Sequence, residues 1–112
     1  MLKKFIPFEV LEKFMVNVMV KAGIPEEDAK IIGDALLQAD KFGFDSHGVN
    51  RLKSIYLDRI SEGILNPVTN YKIIKEGPTT AVIDGQNGMG HVISYNAMRM
   101  AIEKAGKYGI GM

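Results

Sequence analysis

Hydrophobic and polar positions repeat along this chain with two different periods. Up to about residue 66 the repeat is helical. Val10, Leu11, Phe14, Val18 and Met19 recur three and four apart, with Glu9, Lys13, Asn17 and Lys21 opposite, the pattern of an amphipathic helix. It predicts a helix from Pro7 to Ala22, with proline at a first position where its missing N–H costs nothing and Gly23 as the stop. A second helix restarts at Pro25. Glu26, Glu27 and Asp28 set negative charge against the positive end of its dipole. Ala29, Ile32, Leu36 and Ala39 form its apolar stripe, Lys41 sits near its end and Gly43 closes it. A third helix is expected from Asp45-Ser46, where either side chain can cap free N–H groups. It buries Leu52, Ile55, Tyr56 and Ile60 and ends at Gly63.

After a loop at Asn66-Pro67 the period shortens. Tyr71 to Glu76 and Thr79 to Asp84 read as strands split by Gly77-Pro78, which can pair as a hairpin. The glycine-rich turn Gly85-Gln86-Asn87-Gly88-Met89-Gly90 leads into a fourth helix, from about His91 to Lys107. Its stripe is Met98, Ala101, Ile102 and Ala105, and Gly109 is its stop. A βαβ unit then returns to a strand, which Ile110 and Met112 can begin, so the sequence reads as truncated there, with a short disordered tail as the alternative. The fold class expected is α+β, or a fragment of an α/β fold. Residues 1–66 form an N-terminal helical region of three helices, and residues 67–112 start an α/β domain with a β-hairpin and a crossover helix.

Composition narrows the function classes. Hydrophobic residues make up 46% and charged residues 24%, which suits an ordinary globular domain. The formal net charge of +1 gives no electrostatic reason to bind nucleic acid or an anionic membrane. The chain has no cysteine, which excludes disulfides, thiolate metal sites and cysteine nucleophiles. His47 and His91 stand far apart without clustered carboxylates, so no metal site is expected. Lys3 and Lys4 precede no long apolar stretch, so neither a signal peptide nor a membrane span is expected and the location predicted is cytoplasmic.

Candidate chemistry lies in Asp45-Ser46-His47-Gly48-Val49-Asn50-Arg51-Leu52. On a helix, His47 and Arg51 share a face, in first turns where free N–H groups and the dipole favour an anion. An arginine fork, an imidazole and a serine hydroxyl at one helix start can hold a carboxylate, each sheltered charge-assisted bond contributing roughly 1.5–3 kcal/mol. From spacing alone the plainer roles stay open: Ser46 as an N-cap, His47 as a surface residue, Arg51 as the ion-pair partner of Asp58. The loop from Gly85 to Gly90 reads G-x-x-G-x-G rather than the dinucleotide fingerprint. It is taken as a tight turn and helix start, although a small phosphate site is the alternative, and no cofactor contacts are assigned to it.

Several motifs occur in a familiar order. They are Gly23-Ile24-Pro25-Glu26-Glu27-Asp28-Ala29 and Ala39-Asp40-Lys41-Phe42-Gly43-Phe44-Asp45-Ser46-His47-Gly48, then Tyr56, Ile60, Gly63, Asn66 and Pro67. Ala81-Val82-Ile83-Asp84 follows, running into the Gly85 to Gly90 loop. Ala97-Met98, Ala101-Ile102, Lys104-Ala105 and Gly109-Ile110-Gly111 complete the series. In them the chain resembles the malate/L-lactate dehydrogenase family, which lacks a Rossmann fold and includes sulfolactate and ureidoglycolate dehydrogenases. The resemblance covers nearly the full chain, and only the opening part of such an enzyme. It implies hydride transfer between NAD or NADP and a small 2-hydroxy or 2-keto acid, with Ser46, His47 and Arg51 at the substrate. Arg51 would hold the carboxylate, His47 would orient it or polarise the reacting oxygen, and Ser46 would cap the helix and donate a bond. The family's general-base histidine belongs to a segment expected beyond Met112, so by this resemblance the chain alone is catalytically incomplete. Its implied partners are a second copy in a homodimer or the missing C-terminal part. The alternative is a non-enzymatic remnant, or a helical interaction module that docks on a homologous subunit.

Overall fold

Pro7 and Pro25 stand directly before the first two helices. Their carbonyls accept the first helical hydrogen bonds, from the N–H of Leu11 (3.1 Å) and of Ala29 (2.9 Å). The computed structural model describes residues 4–112. Its order is α1 (Phe8–Lys21), α2 (Glu26–Lys41), a 3-10 turn (Asp45–His47), a π-helical turn (Leu52–Leu57) that runs into α3 (Asp58–Ser61), β1 (Lys72–Glu76), β2 (Ala81–Asp84) and α4 (Gly90–Tyr108). The fold is therefore α+β. It divides into two units, one ending at Ile64 and one starting at Leu65.

In the first unit α1 packs on α2, and the core holds Met15, Met19, Ile24, Ala29, Ile32, Leu36, Leu37 and Leu52. Of the α2 stripe expected from sequence, Ala29, Ile32 and Leu36 are buried and Ala39 is half-buried. The α1 stripe is rotated: Val10 and Phe14 lie in solvent while Met15 and Met19 are fully enclosed. One neighbouring helix can cover only one side of α1, and that side is centred on the methionines. The ends of α1, α2 and α3 close alike. At α2 the N–H of Phe44 reaches Ala39 O (2.8 Å) and that of Gly43 reaches Asp40 O (3.0 Å), with Gly43 at φ +84°, a left-handed cap suited to glycine.

Gly33 lies where α2 meets α1. A methyl group there would meet Val16 Cγ2 at 3.5 Å and Met19 Cε at 3.7 Å, ordinary contact distances. Glycine inside a helix is less stable than alanine by about 0.5–1 kcal/mol. Gly33→Ala is therefore expected to stabilise the chain by that amount, read as a higher urea midpoint. A lower midpoint would mean that the helices cannot accept the methyl.

The third helix departs from expectation. Instead of running from Asp45, the chain makes a three-residue 3-10 turn, breaks at Gly48 (φ −95°, ψ −140°) and resumes at Arg51. It then widens into a π-helical turn, closed by the Asp58 N–H on Lys53 O. The break has a physical cause: the Gly48-Val49 backbone is drawn onto the end of α2 rather than into a helix.

In the second unit β1 and β2 form an antiparallel hairpin. Lys72 faces Asp84, Ile73 faces Ile83, Lys75 faces Val82, Glu76 faces Ala81, and Ile74 is bulged out. The strands are each shorter than expected, starting at Lys72 and Ala81. Lys104 of α4 ties the helix to the hairpin turn through Glu76 Oε1 (2.9 Å) and Gly77 O (2.8 Å). The Met112 N–H donates to Thr79 O (2.8 Å) and Met112 O accepts from Ala81 N (2.9 Å). These two bonds have the slant of a parallel pairing at Thr80, just before β2, but residues 109–112 are not a strand and the sheet has two strands among the described residues. The α4 stripe is a correction. Met98 and Ile102 are exposed, at 60% and 62%, whereas Val92 is buried and Ala97, Met100, Ala101 and Lys104 are half-buried. The short hairpin covers one narrow side of α4, the side on which Lys104 reaches Glu76 and Gly77. Among the described residues no helix is long and apolar enough to cross a membrane.

Candidate functional site

The segment singled out from sequence hangs from the last turn of α2. Phe44 is held on Ala39 O, and the His47 N–H returns to Phe44 O (3.0 Å), closing the 3-10 turn. Nine residues beyond Asp40, the Val49 N–H donates to Asp40 Oδ2 at 2.9 Å. Gly48 and Val49 then supply the carbonyls that accept the N–H groups of Arg51 and Leu52, both at 3.0 Å.

This folding brings Ser46, His47 and Arg51 together by a route other than the helical face expected. Ser46 Oγ lies 2.8 Å from His47 Nδ1, a hydrogen bond. Arg51 Nε donates to the Ser46 carbonyl. The guanidinium thus folds back onto the main chain of the 3-10 turn, next to the Ser46–His47 side-chain pair; Ser46 and His47 are exposed and Arg51 is half-buried. The helix-start anion site expected from spacing is absent, because a three-residue turn and a glycine break stand in its place. The alternative pairing of Arg51 with Asp58 is also corrected: Lys53 Nζ takes the Asp58 carboxylate, at 3.0 and 3.1 Å.

Two residues escaped the sequence reading. The helical period puts Tyr56 on an apolar face. It lies five residues after Arg51, across the π-helical turn, near enough for the Arg51 charge to act on it. Burial pushes its phenol pKa up, while Arg51 and Arg59 pull it back. A phenol is protonated at neutral pH in any case, and so carries an O–H that can donate a hydrogen bond. No periodicity announces a π-turn. Asp40 did leave a signal, an acidic side chain in the last turn of a helix, where the dipole disfavours it.

The glycine loop of the second unit is built differently. Gln86 and Asn87 take left-handed conformations (φ 50° and 57°). The loop amides turn inward: Gln86 N–H to Asp84 Oδ1 (2.9 Å), Gly88 N–H to Gly85 O (2.9 Å) and Met89 N–H to Thr69 Oγ1 (3.0 Å). N–H groups used in this way do not cradle a phosphate. Burial lowers the His91 pKa, which keeps that imidazole neutral near pH 7. Among the described residues no cluster of three or more His, Asp or Glu side chains is arranged to hold a metal ion.

Residues 6–112 match the family model described as malate/L-lactate dehydrogenase. The chain belongs to that family. It is 52% identical over 107 residues to malate dehydrogenase of Pyrococcus abyssi, covering 96% of this chain and 29% of that protein. It is 46% identical over 101 residues to L-sulfolactate dehydrogenase of Methanocaldococcus jannaschii, covering 90% and 29%. The structure of malate dehydrogenase from Pyrococcus horikoshii superposes with a TM-score of 0.92 at 48% identity, over 95% of this chain and 30% of that one. This family member thus spans about three-tenths of the length of the relatives it matches.

Proposed function

We propose that this chain is the N-terminal part of a NAD(P)-dependent oxidoreductase acting on a small 2-hydroxy acid such as malate or L-lactate, and that it supplies one wall of the substrate site. The observation that carries the reading is the hydrogen-bonded group of Ser46, His47 and Arg51. With Nε on the Ser46 carbonyl, the Nη1–Nη2 edge of Arg51 is the fork that meets the substrate carboxylate. His47, steadied through Nδ1, turns its other ring nitrogen to the reacting oxygen, and Tyr56 adds a phenolic donor beside the arginine. The nicotinamide accepts or delivers the hydride. The amides of Gln86, Gly88 and Met89, turned inward, do not suit its phosphates, so its contacts and the general base are expected from protein outside these residues. We extend the proposal to the division of labour along the chain, with residues 1–66 as a helical region and 67–112 as the start of the α/β domain. It also extends to a homo-oligomeric, cytoplasmic enzyme.

The test is titration of the isotopically labelled 112-residue chain with L-malate. Amide signals of residues 46–51 are expected to shift and those of residues 85–90 to stay. The same chain is expected to show no NAD(P)H-linked turnover with malate, lactate or their keto acids. Robust turnover would refute the incomplete-site reading. Absence of malate shifts would favour the second reading, a helical interaction module, for which the exposed Tyr95, Met98 and Ile102 of α4 speak.

A further inference from the structure

Asp40 is electrostatically misplaced twice. It lies in the last turn of α2, against the dipole, and beside a group proposed to receive an anion, which its charge would repel. A direct ligand role is therefore unfavourable. Its carboxylate instead reaches nine residues forward to the Val49 N–H at 2.9 Å. Gly48 is buried under it with no room for a side chain: a Cβ there would stand 1.9 Å from Asp40 Oδ1 and 2.2 Å from Cγ. The Gly48-Val49 pair so pinned supplies the two carbonyls on which the Arg51 and Leu52 backbone is hung. At its other end the loop is fixed by Phe44 on Ala39 O. Both anchors of the 44–49 segment, which carries Ser46 and His47 and leads into Arg51, thus belong to one helical turn.

We propose that Asp40 is the positioning residue of this site: by holding the Gly48-Val49 backbone it sets the place of Arg51 relative to Ser46. Its consequence for ligand affinity rests on the carboxylate-binding reading above, whereas the positioning itself does not. Three side chains that are exposed or only half-buried would otherwise sample many rotamers, and ordering them only when the ligand arrives would weaken binding. The charge-assisted bond to Val49 and the glycine beneath it make the loop stiff before any ligand is present.

The experiment compares Asp40→Ala, Asp40→Asn and Gly48→Ala in the full 112-residue chain by NMR. It reads the exchange rate of the Val49 amide, the Arg51 Nε–H resonance and the L-malate affinity. Asp40→Ala is expected to speed Val49 exchange, to move the Arg51 Nε–H signal to the position of a solvated arginine, and to weaken malate binding about tenfold. Asp40→Asn keeps an acceptor oxygen in the same volume and is expected to restore affinity to within about threefold of the parent. Gly48→Ala, by displacing the carboxylate, should copy Asp40→Ala. The double variant should bind no more weakly than Gly48→Ala alone, because the two changes break one interaction. Unchanged Val49 exchange and Arg51 Nε–H signals in Asp40→Ala overturn the proposal whatever malate does, as does an Asp40→Asn variant no better than alanine. A parent chain that ignores malate while Asp40→Ala still releases the Arg51 signal upholds the positioning role and removes the substrate reading instead.

Discussion

Alanine at position 51 is expected to weaken L-malate binding by about tenfold to a hundredfold, the range set by hydrogen bonds between charged partners. The lower part of that range applies to the isolated chain. Ser46 and His47 are exposed and Arg51 is half-buried, so water screens the ion pair. Arg51→Lys keeps the charge but cannot hold the Ser46 carbonyl and present a flat two-pronged edge at once. Its loss should fall between those of the parent and the alanine variant. In a longer enzyme carrying this site, the same substitution should raise KM and lower kcat/KM. An isolated Arg51→Ala chain that keeps its fold and binds malate within about twofold of the parent would remove the carboxylate role.

Leu36→Ala is expected to lower the stability of the helical unit by about 2–5 kcal/mol. Leu36 is only 1% exposed, in a core shared by Met15, Met19, Ile32 and Leu37. A unit of this size buries a modest fraction of its surface, and small domains hold only about 5–15 kcal/mol in total. One core truncation therefore takes a large share. Phe14→Ala is the internal comparison, since Phe14 is 56% exposed and such substitutions usually stay within about 0.5 kcal/mol. Urea unfolding followed by circular dichroism separates the two. Equal losses from both would show that α1 buries a face other than the one described.

The sequence made the helices and the hairpin legible wherever one period ran unbroken between punctuating residues. The sites of Pro7, Gly23, Pro25 and Gly43 bound α1 and α2 because proline and glycine act through the local backbone. The α2 stripe was readable because a helix packed against a neighbour along its length needs a continuous apolar face. The α1 and α4 stripes were misread because exposed Phe14 and Met98 look as hydrophobic in a pattern as enclosed Met15. Only the neighbour decides which of them is covered. The loop from Asp45 to Arg51 was legible in residue type but not in conformation. Its break depends on a carboxylate nine residues upstream, and its widened turn has no helical signature, so the neighbourhood of Arg51 and Tyr56 could not be counted out along the chain.

Thioether chemistry follows the same partition as burial. Met15, Met19 and Met89 are fully enclosed, whereas Met98 and Met112 are 60% and 80% exposed. A mild oxidant in solution reaches the outer two first. There the sulfoxide it forms is hydrated and disturbs no packing. The enclosed sulfurs are reached only when the chain opens, and a polar sulfoxide at any of them hinders the chain from closing again. Damage at the surface is thus tolerated, while damage inside perpetuates the opening that allowed it.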